Sequence, residues 1–415
     1  MHSPVVGGPS FVIRSVVVLA LCTAGAVWAG APAATEWPQW RGPDRTGITT
    51  DTSWTTQWPG GKPKQLWQKD IGQGYSAWVV SGNKAYNLGN TGGQDTVWCV
   101  DADSGQEVWK YSYRCGTDNQ YPGPRATPAV DSGKVYTYSR EGLLLCLDAA
   151  KGAVVWQKDT RQELGARIPR WGLSSSPTVH GEVVIVNPGA PNASVVAFNK
   201  TTGQVVWKSG SDGAGYSSAV LFPAGAPTAV AMFSATGLVG LSLQNGQQIF
   251  QSPWKTSYEV NASDPIVVGD KIFITSGYGT GCALVQVGAG GAKQLWTNKT
   301  IASHTTGPVY YEGHIYGMDG QMGKQSLKCL DFATGQQKWV QQGLGGSVIV
   351  VSGKLVVFSD KGELAIADAN PANFTPAARV SIHSGTCWTS PAFSSGRIFV
   401  RNKEGQAAAY DLRGK

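Results

Sequence analysis

An internal repeat constrains this chain more than any other feature. Residues 99–109 (CVDADSGQEVW), 146–156 (CLDAAKGAVVW) and 329–339 (CLDFATGQQKW) are copies of one pattern, in which a strand, an Asp-x-x-x-Gly turn and a second strand end in Trp. Residues 196–207 follow the same plan, and weaker copies span 241–250 and 283–296. One such hairpin cannot bury its apolar faces alone. The chain is therefore predicted to stack repeats of about 45 residues against one another.

A second count of the repeat comes from the segments that precede each pair of hairpins. Most follow a Ser/Thr-rich, Pro-containing pattern, lead into a short strand and are followed by a Gly turn and another strand. Eight such starts lie at Ser76, Thr127, Ser175, Ser217, Ser263, Thr306, Gly346 and Thr389. Four antiparallel strands per unit, repeated radially, are typical of a propeller. The sequence predicts an all-β, eight-bladed β-propeller over residues 65–415.

The two ends of the repeat region complement each other. The last unit has three strands, over about residues 389–411, and no fourth. Residues 65–70 (QLWQKD) form an isolated fourth strand that carries Trp67. Pairing this N-terminal strand with the last unit closes the ring and removes two exposed sheet edges. We therefore expect an N-terminal strand to complete the eighth blade.

Residues 1–34 have the layout of a signal peptide. Arg14 precedes the apolar run 15–21, and small residues crowd 24–34. A membrane anchor is disfavoured because the run is short. A lipoprotein signal at Cys22 is disfavoured because Leu21 precedes it where a small residue is needed. Cleavage makes the protein periplasmic or secreted, and residues 35–64 become an N-terminal extension.

The charge of the mature chain is modest and scattered. Without residues 1–34 the 34 Lys and Arg fall to 33 against 27 acids, and no basic block remains. This argues against nucleic acid as a partner. No further segment is apolar enough to span a membrane. We expect a monomer whose partners are envelope or secreted proteins.

The repeated residues are predicted to serve the fold. One aromatic side chain per unit is expected to dock between neighbouring blades. This docking set is Trp67, Trp109, Trp156, Trp207, Phe250, Trp296 and Trp339. The turn carboxylates Asp101, Asp148, Asp331 and Asp411 are expected to brace turns. Six cysteines remain in the mature chain, and a disulfide between Cys115 and Cys387 is conceivable because they flank the first and last blades.

Residues that interrupt the repeat near the innermost strands are the candidates for ligand binding. They include Tyr75, Trp78, Arg170 and Tyr216, and the strongest set is Arg125, Trp171, Asp264, His304 and Trp388. Loops at the central axis are where concave sites form. No catalytic residue and no metal site is predicted, because none of the familiar nucleophile, zinc or phosphate-loop motifs occurs.

The repeat resembles the tryptophan-docking repeat of the quinoprotein-like (PQQ-like) propeller family. Residues 37–47 (WPQWRGPDRTG) are similar to the segment that opens many exported bacterial members. The resemblance implies one of two branches. PQQ-dependent dehydrogenases use a vicinal Cys pair, a stacking Trp, an Asp base and Ca²⁺ held by Glu, Asn and Asp, whereas BamB-like members are scaffolds without a cofactor.

This chain has no vicinal Cys pair and no Cys-x-x-Cys-His motif. The sequence therefore favours a non-catalytic binding scaffold for envelope proteins or another ligand, with no cofactor. The alternative is a PQQ-dependent alcohol-type dehydrogenase with an atypical quinone site, which would need PQQ and Ca²⁺. A carbohydrate-associated or lyase-like propeller is a third interpretation.

Overall fold

In a computed structural model, seven four-stranded sheets and one five-stranded sheet follow one another along the chain. The structure describes residues 1–4, 7, 36–117, 120–223, 228–288 and 290–414. Residues 1–33 and 34–415 form separate units. The predicted signal peptide lies almost wholly outside the described residues, and everything below concerns the second unit.

Seven blades are built from four consecutive strands and the eighth from the last three strands and an N-terminal one, and this confirms the eight-bladed β-propeller. Blade 1 comprises Val79–Ser81, Lys84–Thr91, Gln94–Asp101 and Glu107–Arg114, and blade 2 comprises Ala129–Asp131, Lys134–Tyr138, Leu143–Asp148 and Val154–Asp159. Blade 3 comprises Thr178–His180, Val183–Val186, Val195–Asn199 and Val205–Ser209, and blade 4 comprises Val220–Phe222, Ala229–Phe233, Gly237–Ser242 and Gln248–Pro253. Blade 5 comprises Ile266–Val268, Lys271–Ser276, Gly281–Gly288 and Gly291–Asn298. Blade 6 comprises Val309–Tyr311, His314–Asp319, Ser326–Asp331 and Gln337–Gln341. Blade 7 comprises Gly346–Val351, Lys354–Ser359, Glu363–Asp368 and Pro376–Ser381. Blade 8 comprises Ala392–Ser394, Arg397–Arg401 and Gln406–Asp411, completed by Lys64–Asp70.

The remaining elements are short. One α-helix, Thr160–Leu164, follows blade 2, and 3₁₀ turns span Pro59–Gly61 and Ser257–Glu259. The strand Ile48–Thr49 lies parallel to the first strand of blade 7 and makes that sheet five-stranded. None of the helices in the described ranges is long and apolar enough to cross a membrane.

The N-terminal strand closes the ring as predicted. Lys64–Asp70 pairs antiparallel with Gln406–Asp411, from Lys64 opposite Asp411 to Asp70 opposite Gln406. Both strands would otherwise present unpaired N–H and C=O groups at a sheet edge. Pairing residues from the two ends of the repeat region therefore joins the last blade to the start of the ring.

In five blades the docking Trp packs onto the turn glycine of the next blade. Trp109 donates its Nε1–H to the carbonyl of Ala149 at 3.0 Å. A Cβ built on Gly152 would lie 2.5 Å from the Trp109 ring, and Gly152 has φ +70°. Glycine is therefore favoured at position 152 for two reasons: the backbone has a left-handed conformation, and the Trp109 ring leaves no space for a Cβ atom. Equivalent pairs are Trp67 with Gly105, Trp156 with Gly203, Trp207 with Gly246 and Trp296 with Gly335.

Two of the docking positions differ from this scheme. Trp339 donates to the carbonyl of Asn370, where blade 7 has no matching turn glycine. Phe250 has no N–H to donate, and it packs on Phe222 with ring centroids 6.1 Å apart. The predicted structural role of the set is consistent with these contacts.

The repeated carboxylates brace their turns as expected. Asp101 Oδ1 accepts the backbone N–H of Ser104 at 2.8 Å, and Asp148 Oδ1 accepts that of Lys151 at 3.0 Å. Backbone donors lower the pKa of the Asp148 carboxyl because they stabilise its charged form.

The cysteines lie buried as free thiols throughout the described chain. The disulfide considered between Cys115 and Cys387 is therefore wrong. Cys115 sits after blade 1, where its carbonyl accepts from Asn90, whereas the Cys387 thiol contacts the carbonyl of Ser384 before blade 8.

Candidate functional site

A cavity of about 310 Å³ opens where the first strands of the blades begin, and it is here called the cup. All five residues of the strongest predicted set line it: Arg125, Trp171, Asp264, His304 and Trp388. Tyr75 and Tyr216 also line it. Trp78 does not, because its side chain is buried in the core and donates to the carbonyl of Val400. Its inclusion among the axial loop residues was wrong.

Hydrogen bonds from blade to blade explain the Ser/Thr-rich strand starts. Thr127 Oγ1 accepts the backbone N–H of Ala77 at 3.0 Å, and Ser176 Oγ accepts that of Thr127 at 2.9 Å. Ser218 Oγ continues the series by accepting from Ser176 at 3.0 Å. Asp264 takes the same place in blade 5, where its Oδ1 accepts the N–H of Ser218 at 2.6 Å. Asp264 therefore accepts the same blade-to-blade hydrogen bond that a Ser or Thr hydroxyl accepts in blades 2 to 4.

Residues 37–47, here called the strap, cross the ring beneath the cup. Trp37 exchanges two backbone hydrogen bonds with Val80 of blade 1, and Val130 of blade 2 donates to the carbonyl of Pro38. Val350 of blade 7 donates to the carbonyl of Gly47. The strap thus links blades that are far apart in the ring.

Two buried arginines of the strap bind it to the blades through hydrogen bonds. Arg41 Nη2 donates to the carbonyl of Pro308 in blade 6 at 2.5 Å. Arg45 Nη2 donates to the carbonyl of Pro177 in blade 3. Burial lowers the pKa of Arg45 to about 10, and the nearby Asp264 carboxylate opposes this shift. Guanidinium groups match such carbonyl contacts because they carry five donors in fixed directions.

Trp40 joins the strap to the cup. Its indole Nε1 donates to Asp264 Oδ2 at 2.6 Å, and the residue itself lines the cavity. Burial raises the pKa of the Asp264 carboxyl, while Arg41 and the two N–H donors oppose the shift. Both oxygens of this carboxylate are engaged within the protein. A contact between Asp264 and a ligand stays a prediction.

Half-buried aromatic rings form the wall of the cup. Trp388 stacks on Tyr75 with centroids 6.4 Å apart, and Trp171 packs against Tyr216 at 6.0 Å. His304 meets Tyr278 edge to face at 4.9 Å. Burial lowers the pKa of His304 because it disfavours the charged imidazolium.

Cations lie over these rings. Arg125 lies 5.9 Å from the centre of the Tyr75 ring, Lys403 lies 5.4 Å from Trp388, and Arg170 lies 5.2 Å from Trp171. Such contacts are attractive because the ring faces carry partial negative charge.

Three hydroxyls of residues that line the cup have no hydrogen-bond partner among the described residues. They belong to Thr306, Ser347 and Thr389 in blades 6, 7 and 8. These residues are 5%, 2% and 4% exposed, and all three line the cavity. His304 Nδ1 also lacks a partner. Buried polar groups are normally paired, so these four atoms are unsatisfied polar groups in residues that line the cup.

Sequence reasoning missed the strap and the three hydroxyls. The sequence did contain an indication of the strap, because residues 37–47 include two Trp and two Arg. The sequence contains no indication of the three hydroxyls, because Thr306, Ser347 and Thr389 lie in strand starts that resemble those of the other blades.

The cup offers no carboxylate cluster for a cation. Asp264 is the one acid among the described residues that line it. Across the described ranges, no three His, Cys, Asp or Glu side chains come together as a metal site would require. Ca²⁺ takes six to eight oxygen ligands. The residues around the cup therefore do not fit the Ca²⁺ that accompanies the quinone in the dehydrogenase branch.

A second surface feature lies on the outer edge of the ring and is here called the belt. In five consecutive blades the residue before the docking aromatic is aliphatic and 39% to 50% exposed. The belt residues are Val108, Val155, Val206, Ile249 and Leu295. In blade 6 the equivalent residue is the exposed Lys338. Each belt residue lies on a fourth strand, which is the edge of its sheet.

Comparison with known proteins gives a consistent result. A family profile described as outer membrane protein assembly factor BamB matches residues 93–341, more than half of the chain. The outer membrane protein assembly factor BamB of Shewanella oneidensis is 22% identical over 84% of this chain and 89% of its own length.

Quinoprotein dehydrogenases match over shorter stretches. The quinohemoprotein alcohol dehydrogenase ADH-IIG of Pseudomonas putida is 31% identical over 28% of this chain, which spans only 17% of that protein. The quinoprotein ethanol dehydrogenase of Pseudomonas aeruginosa is 28% identical over 39% of this chain, and 28% of its length is covered.

Solved structures show the same fold. BamB from Moraxella catarrhalis superposes with a TM-score of 0.61 at 13% identity, covering 85% of this chain and 98% of that one. Quinohemoprotein alcohol dehydrogenase from Comamonas testosteroni gives 0.67 at 13% identity, covering 92% and 81%.

Proposed function

Because this chain belongs to the PQQ-like β-propeller family described as outer membrane protein assembly factor BamB, we propose that it is a non-catalytic binding scaffold for envelope proteins. In this proposal it is exported, works in the periplasm or outside the cell, and is a monomer. BamB relatives match it over most of their length, whereas the first dehydrogenase relatives match over 17% and 28% of theirs. The chemistry of a whole dehydrogenase is thus not implied by the match.

The observation that carries the proposal is the belt. Exposed aliphatic side chains recur at one position on five adjacent blades, and exposed apolar surface is where protein contacts form. Each of these side chains lies on an edge strand whose outer N–H and C=O groups are unpaired by the sheet. An extended segment of an envelope protein that pairs with such an edge and covers the aliphatic residues is the partner this surface fits.

Affinity capture tests the proposal. Tagged residues 36–415 are incubated with outer-membrane extract, and bound proteins are identified by mass spectrometry. A V155E/V206E/I249E variant places charges on three adjacent blades, and K338E is the matched control on blade 6. We expect defined envelope proteins to bind the parent and the control but not the triple variant. Equal capture by all three forms contradicts the proposal.

The dehydrogenase alternative is tested separately. The cup lacks the carboxylates for Ca²⁺, and its Asp264 is engaged by Trp40 and Ser218. We expect incubation with PQQ and Ca²⁺ to give no dye-linked oxidation of alcohols. Such oxidation, lost on mutation of cup residues, would overturn the non-catalytic proposal.

A further inference from the structure

We propose that the cup binds an acidic sugar, namely a uronate unit of an oligosaccharide. This site is separate from the belt, so the proposal goes beyond protein binding and does not depend on it. It rests on three properties of the cup: its aromatic wall, its unpaired hydroxyls and the sign of its charge.

The wall and the hydroxyls together favour a sugar. Trp388 and Trp171 are half-buried and line the cavity, and indole rings in such positions can pack against the C–H face of a pyranose. Thr306, Ser347 and Thr389 supply hydroxyls that lack protein partners along three neighbouring blades. A hydroxyl both donates and accepts, and adjacent sugar hydroxyls have the same capacity. A flat, purely apolar ligand would leave these groups unpaired at a cost.

The charge favours an acid. Of the described residues that line the cup, Arg125 and Asp264 carry full charges, and the Asp264 carboxylate is offset by the buried cations Arg41 and Arg45 of the strap. Arg125 uses Nη1 and Nη2 on the carbonyls of Gly123 and Tyr121, yet its positive charge remains. Lys403 adds a second cation over Trp388. The field in the cup therefore attracts a carboxylate.

The size of the cup limits the ligand. A cavity of about 310 Å³ lies at the lower end of the range for small-molecule pockets. It has room for one or two sugar rings, while the remainder of an oligosaccharide extends into solvent. The strap contributes to the lining of the cavity through Trp40.

Titration calorimetry on residues 36–415 tests the proposal with α-1,4-trigalacturonate and with α-1,4-galactotriose as the neutral probe. We expect trigalacturonate to bind about tenfold more tightly. Arg125→Gln is expected to remove this preference, and Trp388→Ala to weaken binding of both sugars about tenfold. Circular dichroism checks that each variant is folded.

A pair of threonine variants separates recognition from stability. Thr389→Val removes an unpaired hydroxyl that lines the cup and should weaken trigalacturonate binding about fivefold. Thr137→Val removes an equally buried and unpaired hydroxyl that does not line the cup, and it should leave affinity unchanged. Absence of binding, equal affinity for both probes, or equal effects of the two threonine variants each overturn the proposal. Binding of PQQ with no binding of either sugar overturns it as well.

Discussion

Replacing Gly152 with Ala tests how the blades are held together. Gly152 has φ +70°, and an added Cβ would meet the Trp109 ring at 2.5 Å. Gly133 lies in the same blade with φ +72°, but nothing lies within 4 Å of its Cβ position. The two substitutions share the backbone cost of a left-handed residue, about 1 kcal/mol. Only Gly152→Ala adds the cost of overpacking, about 2 kcal/mol.

We therefore expect Gly133→Ala to lower the free energy of unfolding by about 1 kcal/mol and Gly152→Ala by about 3 kcal/mol. Urea unfolding followed by tryptophan fluorescence measures both. The indole N–H of Trp109 also donates to Ala149 in the same turn, so a displaced ring loses that bond as well. Equal destabilisation by the two variants would refute the view that this turn is a docking surface for Trp109.

Three further predictions concern the strap, the histidines and the thiols. Trp40→Phe removes the N–H donor from the buried Asp264 carboxylate and should cost about 2 kcal/mol, whereas Trp54→Phe loses a bond to a backbone carbonyl and should cost about 1 kcal/mol in the same urea assay. Burial lowers the pKa of His304 and His383 below the ordinary 6.5, so the unfolded chain binds protons more readily and the melting temperature should fall as pH drops below about 6.5. The double variant H304Q/H383Q should show a flatter profile. Burial raises the pKa of all six propeller thiols, so mass spectrometry should detect almost no alkylation of the native protein and six alkylated cysteines after denaturation without reductant.

The parts of the fold that repeat were predictable because their signals are local. The Asp-x-x-x-Gly turn, the docking Trp and the strand starts recur in the sequence, and each reports a contact within one blade or with the next. The cup residues could be predicted because they depart from the repeat. Arg125, Trp171, His304 and Trp388 interrupt the pattern at strand starts, and all four line the cavity.

The strap could not be placed from sequence because its contacts are distant. Trp40 and Asp264 are 224 residues apart, and Arg41 and Pro308 are 267 apart. The parallel strand Ile48–Thr49 is two residues long and too short to show a period. Asp264 was identified as unusual, yet its carboxylate serves the strap and the hydrogen-bonded strand starts.

Site-specific photocrosslinking in cells tests the central claim, which is that the belt binds envelope proteins. A photoreactive phenylalanine analogue is placed at Val206 in the belt or at Lys338, the equivalent position of blade 6. We predict discrete crosslinked adducts with envelope proteins from position 206 and none from position 338. No adducts from position 206, or the same adducts from both positions, would contradict the proposed role of the belt.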